Sequence, residues 1–177
     1  MKVEIAEYNP DWPAIFAREK ADLLRALRLD GVCIEHFGST SVIGLAAKPV
    51  IDVIVGLPDF ALADGFVPNI EALGYDYIAK YNAVMPFRRF FQKRPDGIAT
   101  HNLHMVETGC EFWERHLLFR DYLRSHPETA MGYAAHKKEL ALREWQDVND
   151  YANAKTEFIQ AIDAQAKVWK DLQHYIQ

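Results

Sequence analysis

The sequence predicts a mixed α/β fold of the α+β type, in which a mixed sheet is flanked by helices and followed by a three-helix segment. Over residues 1–108 short β-branched runs alternate with helical patterns, whereas residues 109–177 carry helical periodicity alone. The chain has 177 residues, half of them hydrophobic and a quarter charged, which is enough for one well-buried domain. We therefore predict a single domain with an α/β core over 1–108 and a helical segment over 109–177.

Helices are predicted where apolar residues recur every three or four positions. This spacing is found over residues 12–29, 59–73, 111–125, 128–145 and 150–174. Pro13 lies in the first turn of the first helix, and Gly31 and Gly74 follow the ends of the first two. Pro127 separates the third helix from the fourth, as a proline at a helix start does.

Strands are predicted where β-branched and aromatic residues form short runs bounded by turn residues. Such runs occupy residues 32–37, 50–57, 75–79, 87–93 and 100–107. The last two are joined by the turn Pro95-Asp96-Gly97. The first two are joined by a segment rich in glycine and hydroxyl residues, which makes this connection the first place to look for a functional site.

Composition and charge restrict the classes of function. The net charge of −5 and the pI near 5.8 argue against general nucleic-acid binding, which needs a basic surface. No apolar run reaches the roughly 20 residues that cross a bilayer, and the N-terminus lacks the apolar core of a signal peptide. Cys33 and Cys110 have no partner spacing and are predicted to be reduced core thiols. These features predict a cytoplasmic protein without a membrane partner.

The connection between the first two strands predicts a phosphate-binding corner. Gly38 permits a positive φ or close approach of a ligand, and Ser39, Thr40 and Ser41 supply three consecutive hydroxyls. Backbone amides and hydroxyls arranged in such a turn bind phosphate. The alternative is a hydroxyl-lined turn that only links two elements.

Asp52 is the one acid in the apolar strand 50–57. A carboxylate in such a strand is costly unless it is paired or binds a metal, and carboxylates are ligands of Mg²⁺. We therefore predict Asp52 to be a metal ligand and a catalytic residue, the alternative being a salt bridge to Lys48 or an arginine. Lys48 lies between the corner and Asp52, where it either neutralises phosphate or is a solvated loop residue.

Further candidates lie on the strand 100–107. His101 and His104 are three residues apart, so strand alternation places them on opposite faces, and one of them is expected to face Asp52. We take His104 as a catalytic candidate and His101 as a substrate-binding candidate. Glu107 lies on the His101 face by the same count and is a candidate metal ligand at the strand end.

Basic residues elsewhere fit either phosphate binding or a structural role. Arg88 belongs to a basic and aromatic stretch that is also typical of an exposed strand face. Arg120 is the first of two arginines at helical i, i+4 spacing, which either bind phosphate or brace the helix. Lys137, Tyr151 and Lys155 lie on the later helices and leave the same two interpretations open.

With these residues identified, the sequence resembles the GrpB family, which is assigned to the nucleotidyltransferase superfamily fold. The resemblance runs nearly full length and is carried by the blocks YNPDWPAIFAREK, HFGSTSVIGLAAKPVIDVIV, GYDY, RRFFQKR, THNLHMVE, FRDYLRSHPETAMGYAAHKKELA and YANAKTEFI. It implies a protein that binds a nucleoside triphosphate or phosphorylated metabolite and transfers a nucleotidyl group to a small acceptor. The alternative is a binding module without catalysis.

The resemblance also implies a metal centre. In the superfamily, a Gly-Ser corner is followed by an acid-hydrophobic-acid pair that holds two Mg²⁺ ions, with a further carboxylate on a later strand. Gly38 and Ser39 match the corner and Asp52 matches the first acid, but the second acid position falls on Ile54. Mg²⁺ is therefore expected on Asp52, with Glu107 or a histidine as the substitute for the second acid.

Overall fold

The computed structural model describes residues 2–175, and within them the chain forms a five-stranded sheet. Its strands, in chain order, are β1 (Cys33–Phe37), β2 (Ile51–Leu57), β3 (Tyr75–Tyr77), β4 (Arg89–Lys93) and β5 (His101–Glu107). In space their order is β1-β2-β5-β4-β3, with β2 and β5 parallel and the other neighbours antiparallel. The predicted mixed sheet is confirmed.

The helices lie on both sides of this sheet. They are α1 (Trp12–Leu27), α2 (Val67–Glu71), α3 (Glu111–Ser125), α4 (Pro127–Ala141), α5 (Val148–Ala154) and α6 (Thr156–Tyr175). The single helix predicted over 59–73 was wrong, because 3₁₀ turns over Phe60–Phe66 precede the short α2. A continuous helix would need a backbone N–H at residue 68 to donate to the preceding turn, and proline has none. Pro68 lies instead in the first turn of α2, where a backbone N–H would have no acceptor within the helix.

The predicted three-helix segment contains four helices among the described residues, because the helix expected over 150–174 is divided. Lys155 separates α5 from α6, with φ −89° and ψ −9°. The amide of Ile159 still donates to the Lys155 carbonyl at 2.9 Å, so the helical phase is nearly retained across the break. This explains why apolar periodicity alone predicted one helix.

The alternation of β2 divides its side chains between two cores. Ile51, Val53 and Val55 pack on the side covered by α1 and α2. Ile54 packs on the other side, against Trp113 of α3. Asp52 shares the face of Ile54, because residues two apart in a strand point the same way.

The helical segment packs directly on the chain that follows the corner. Val42 and Leu45 are buried in one cluster with side chains of α3, α4 and α6, namely Tyr122, Leu123, Ala130, Tyr133, Ile162 and Ala166. Burial of apolar area on this scale is the main source of stability in a domain. We therefore propose that the core and the helical segment fold as one domain.

Two predictions from composition are also answered by the structure. Among residues 2–175, none of the helices is both long enough and apolar enough to cross a bilayer. Cys110 is partly buried, but Cys33 is exposed and is not the core thiol that was predicted. Cys33 begins β1, which is an edge strand of the sheet.

Candidate functional site

The corner after β1 is held in a conformation that requires glycine. Gly38 has φ +68° and ψ −173°, a region that side-chain-bearing residues rarely adopt. Ser39–Ser41 then form one 3₁₀ turn, and the Ser41 hydroxyl donates to the Gly38 carbonyl at 2.6 Å. A Cβ added at Gly38 would lie 3.1 Å from both Cβ and Cγ of Asp52 and would overlap its Oδ2. The corner and the predicted acid are therefore in direct contact.

A chain of side-chain hydrogen bonds across three strands orients Asp52. Asn102 of β5 pairs with Asp52 in the sheet, and its Nδ2 donates to Asp52 Oδ1 at 2.9 Å. Gln92 of β4 in turn pairs with Asn102 and donates from Nε2 to Asn102 Oδ1 at 2.9 Å. This arrangement occupies Oδ1 and leaves Oδ2 directed at the corner.

Three lysines surround this single carboxylate. Lys137 of α4 is only 2% exposed, and its Nζ donates to Ser39 Oγ at 2.8 Å and to the Ala46 carbonyl at 2.6 Å. Lys155, at the α5–α6 break, holds its Nζ 4.4 Å from the ring centre of Tyr151. Lys48 is exposed and lines the same pocket. The helical segment thus supplies two of the three positive charges.

These groups line a cavity of about 260 Å³. Its walls come from the N-terminal segment, the corner, the sheet and α4–α5, and consist of Val3, Ile5, Ser39, Thr40, Ala47, Lys48, Val50, Asp52, Gln92, Ala99, Asn102, Lys137, Tyr151, Ala152 and Lys155. Three ammonium groups against one carboxylate leave two formal positive charges in excess. Such a cavity attracts anions.

Burial shifts the ionisation of the charged groups in this cavity. Burial raises the pKa of Asp52 to about 6, although Asn102 and the lysines oppose the shift. Burial, reinforced by the neighbouring Lys155, lowers the pKa of Lys137 to about 7. Burial also lowers the pKa of Lys155. Burial therefore favours the neutral form of each group while no counter-charge is bound, and a bound anion would favour the charged form of the two lysines.

The structure brings part of the predicted site together. Gly38, Ser39, Lys48 and Asp52 meet at this cavity, and Thr40 lines it as well. The Thr40 hydroxyl already donates to the Val50 carbonyl at 3.2 Å and lies 2.9 Å from His36 Nε2. Thr40 thus fastens the corner to β1 and to the start of β2.

The remaining predicted residues lie outside the cavity. His104 shares the face of Asp52 but pairs with Ile54 and is enclosed by aromatic rings, with Arg88 Nη1 donating to its Nδ1 at 3.1 Å. Arg120 donates to Glu35 at 2.7 Å and to the His36 carbonyl at 3.0 Å, which fastens α3 to β1.

The opposite face of β5 carries the other two predicted residues, as the alternation of the strand required. His101 Nε2 lies 3.8 Å from Glu19 Oε2 beneath α1. Glu107 is exposed at the strand end and accepts from the amide of Phe60 at 3.2 Å. Neither side chain reaches the cavity at Asp52.

Comparison with known proteins decides the family. Residues 2–165 match the family model described as GrpB protein. The chain belongs to the GrpB family. The UPF0157 protein YqkA of Bacillus subtilis is 40% identical over 169 residues, which cover 96% of this chain and 48% of YqkA, so the chain spans about half of that relative. The crystal structure of the conserved protein GrpB from Enterococcus faecalis has a TM-score of 0.84 and 34% identity, covering 94% of this chain and 99% of that one.

The nucleotidyltransferase-like fold is also confirmed. The Cid1 poly(U) polymerase, in a structure with MgGTP bound, has a TM-score of 0.53 and 16% identity, covering 79% of this chain and 45% of Cid1. At that identity the likeness concerns the fold alone.

The donors around Asp52 in this GrpB protein do not fit the two-magnesium centre that the fold family implies. The second acid position, Ile54, is fully buried in an apolar cluster with Phe37, Val106 and Trp113. The neighbouring strand presents Asn102 to Asp52, an amide in place of a carboxylate. Among the described residues, no group of three or more His, Cys, Asp or Glu side chains is placed to hold a metal ion.

Several residues of the cavity were not selected from the sequence. Asn102 lies between His101 and His104, and the alternation that was used for the histidines places it on the Asp52 face. Gln92 follows from the β4–β5 register, which the sequence does not reveal. Lys137, Tyr151 and Lys155 had left two interpretations open, and their position at the cavity favours the binding role.

The raised pKa of Asp52 predicts that Asp52→Asn stabilises the folded protein at neutral pH. The pKa of the Asp52 carboxyl is about 6 in the folded protein, against an ordinary value of 3.8, so the stability of the wild type falls as the pH rises from about 4 to 6. Below pH 4 the variant and the wild type should be equally stable. The difference of about two pKa units corresponds to roughly 3 kcal/mol at about 1.4 kcal/mol per unit. Because Asp52 keeps some contact with solvent, we expect the variant to be more stable above pH 6 by about 1–2 kcal/mol.

Urea unfolding of the variant and the wild type, below pH 4 and above pH 6, measures this difference in stability. Asp30→Asn is the matched control, because Asp30 is exposed. A variant that is less stable than the wild type above pH 6 would mean that the attraction between the Asp52 carboxylate and the lysines outweighs the cost of burying that charge.

Proposed function

We propose that the cavity beside the corner binds the phosphate groups of a nucleotide or a phosphorylated metabolite. The observation that carries the proposal is the set of three lysines around one carboxylate, next to the Ser39 hydroxyl. Ammonium groups bind phosphate oxygens through short charge-assisted hydrogen bonds. The net charge of the whole chain is −5, so the local excess of positive charge is a property of this cavity.

The size of the cavity supports recognition of a phosphate end. Its volume of about 260 Å³ is below the roughly 300–1,000 Å³ of sites that enclose a drug-sized molecule. A nucleoside or other organic part would therefore extend from the opening, near the exposed Lys48. Lys137 would contact the phosphate from the closed side, together with Ser39.

Nucleotidyl transfer is the second candidate function. The free Oδ2 of Asp52 at the corner favours it, and so does the likeness in fold to a polymerase. Asp52 is a suitable proton acceptor for the hydroxyl of an acceptor, because a pKa of about 6 is close to neutral pH. Since Asp52 is the one carboxylate among the described residues that line the cavity, transfer here would depend on a single Mg²⁺ shared between Asp52 and the phosphates of the ligand, in place of the two-ion centre that the side chains do not fit.

Thermal unfolding with nucleoside triphosphates tests the proposal. A ligand at a hundred times its Kd stabilises the folded state by about 2.7 kcal/mol, which corresponds to a rise in Tm of roughly 5–10 °C for a chain of this size. The corresponding nucleosides, which lack phosphate, should give no rise. Lys167→Gln, on the exposed side of α6, should respond like the wild type.

The same samples separate the two candidate functions. Pyrophosphate released from a stabilising nucleotide, in the presence of cell metabolites and Mg²⁺, would support transfer, and stabilisation without release would support a binding module. Equal stabilisation by nucleosides and by their triphosphates would contradict phosphate recognition.

A further inference from the structure

We infer that the cavity holds a doubly charged phosphate monoester without a divalent ion, using Lys137, Lys155 and the Tyr151 hydroxyl where the fold family uses magnesium. This inference rests on the proposed function and specifies the class of ligand. Its ground is the mismatch between the side chains present and those that a metal centre needs.

The side chains next to Asp52 are suited to an anion. A metal would need oxygen ligands, yet the second acid position is the buried Ile54 and the facing strand presents Asn102. Lys137 and Lys155 instead place two ammonium groups near the carboxylate, and both interact with it electrostatically. Two lysines close to one carboxylate repel a divalent cation and attract a phosphate.

The charge of the cavity specifies the ligand further. With Asp52 ionised and the three lysines protonated, as a bound anion favours, the cavity has two positive charges in excess, which a dianion neutralises. A phosphate monoester carries about −1.5 to −2 at neutral pH, whereas a phosphodiester or a carboxylate carries one negative charge. The terminal phosphate of a nucleotide or sugar phosphate therefore matches the site better than an internal phosphodiester.

Tyr151 gives an independent indication of a ligand. Its side chain is 5% exposed and lines the cavity, and its hydroxyl has no hydrogen-bond partner among the residues that the structure describes. A buried hydroxyl without a partner is costly, and proteins leave few of them. An oxygen of a bound phosphate would accept the missing hydrogen bond. Tyr151 lies one helical turn before Lys155, so the two side chains approach the same ligand from α5.

Calorimetric titration with inorganic phosphate, in excess EDTA and in Mg²⁺, tests the inference. The affinity for phosphate should be equal in the two buffers within about twofold. Dimethyl phosphate, which carries one charge, should bind at least tenfold more weakly. Tyr151→Phe should weaken phosphate binding about tenfold, as expected for the loss of a hydrogen bond to a charged group. Lys155→Gln should weaken phosphate binding by more than Tyr151→Phe does.

Matched variants away from the cavity serve as controls. Tyr81→Phe and Lys167→Gln change the same residue types outside the lining and should bind phosphate like the wild type. Tyr151→Phe keeps the ring and removes the hydroxyl that lacks a partner among the described residues, so its Tm without ligand should equal or exceed that of the wild type, whereas a structural role of the hydroxyl would lower it.

The results distinguish this inference from the proposed function. Phosphate binding that is lost in EDTA, or that is unchanged in Tyr151→Phe and Lys155→Gln, would overturn the metal-free site while leaving phosphate recognition in place. Binding of dimethyl phosphate as tight as that of phosphate would overturn the choice of a dianion. If neither inorganic phosphate nor any nucleotide binds, both the inference and the proposed function fail.

Discussion

Gly38→Ala is expected to lower the free energy of unfolding by about 2–5 kcal/mol and to abolish phosphate binding. Two effects add at this position. The backbone, at φ +68° and ψ −173°, is strained for any residue with a Cβ, at a cost of about 1–3 kcal/mol. The new Cβ would also overlap the Asp52 carboxylate, and moving Asp52 away disrupts its hydrogen bond to Asn102. Urea unfolding and calorimetric titration with phosphate measure the two outcomes.

Gly44→Ala measures the backbone part of this effect alone, so the difference between the two variants gives the steric part. Gly44 has a φ of +79°, but a Cβ there would meet no atom within 4 Å, so only the backbone cost of about 1 kcal/mol applies. Combining Gly38→Ala with Asp52→Ala, which removes the overlapping oxygen, should recover part of the lost stability. Equal destabilisation by the two glycine variants would show that contact with Asp52 does not explain the requirement for Gly38.

Features of this fold that depend on neighbouring residues were predictable from the sequence. The corner and Asp52 lie on consecutive strands, and β1 and β2 pair antiparallel so that Phe37 faces Asp52. The first residue after β1 therefore lies next to Asp52 at the start of β2. Strand alternation also placed His101 and His104 on opposite faces correctly, because it needs no knowledge of which strands pair.

Features that depend on pairing or docking between distant segments were not predictable. The hydrogen bonds from Gln92 through Asn102 to Asp52 require the strand order β2-β5-β4. Asn102 and Asp52 lie 50 positions apart, and Gln92 meets Asn102 only in the observed register of β4 and β5. Lys137 reaches Ser39 across 98 positions because α4 packs on the corner. The apolar residues of α4 form no clear stripe, so the periodicity indicates neither that Lys137 lies on the buried face nor which part of the core receives that face.

Ile54 shows how the fold and the chemistry separate in this protein. At this position the superfamily pattern has an acid, and here the side chain completes a cluster with Phe37, Val106 and Trp113. The substitution strengthens packing between the sheet and α3 while removing a metal ligand. The same local sequence is therefore a sound marker of the fold and a poor guide to catalysis, and in the function we propose the lysines of the helical segment supply the charge of the site.

Lys137→Met is expected to weaken phosphate binding about a hundredfold while leaving the free energy of unfolding within about 1 kcal/mol of the wild type. Methionine keeps the apolar stem and removes the ammonium group. The variant loses the hydrogen bonds to Ser39 and to the Ala46 carbonyl, but it also escapes the penalty of a buried charge, which lowers the pKa of Lys137 to about 7. These opposing effects nearly cancel in the protein without ligand. They do not cancel when an anion is bound, because the phosphate then lacks its buried counter-charge.

Two readouts decide whether Lys137 acts in binding. Lys138→Met is the matched control, because Lys138 is exposed and pairs with Glu7 at the surface, so its loss should change neither affinity nor stability measurably. Above pH 7 the phosphate affinity of the wild type should fall as the pH rises, since Lys137 loses its proton there, and the affinity of Lys137→Met should fall less steeply, because only the deprotonation of Lys155 and Lys48 then remains. A Lys137→Met protein that unfolds far below the wild type but binds phosphate normally would make this lysine a structural brace for the corner, and the positive charge of the site would then come from Lys48 and Lys155 alone.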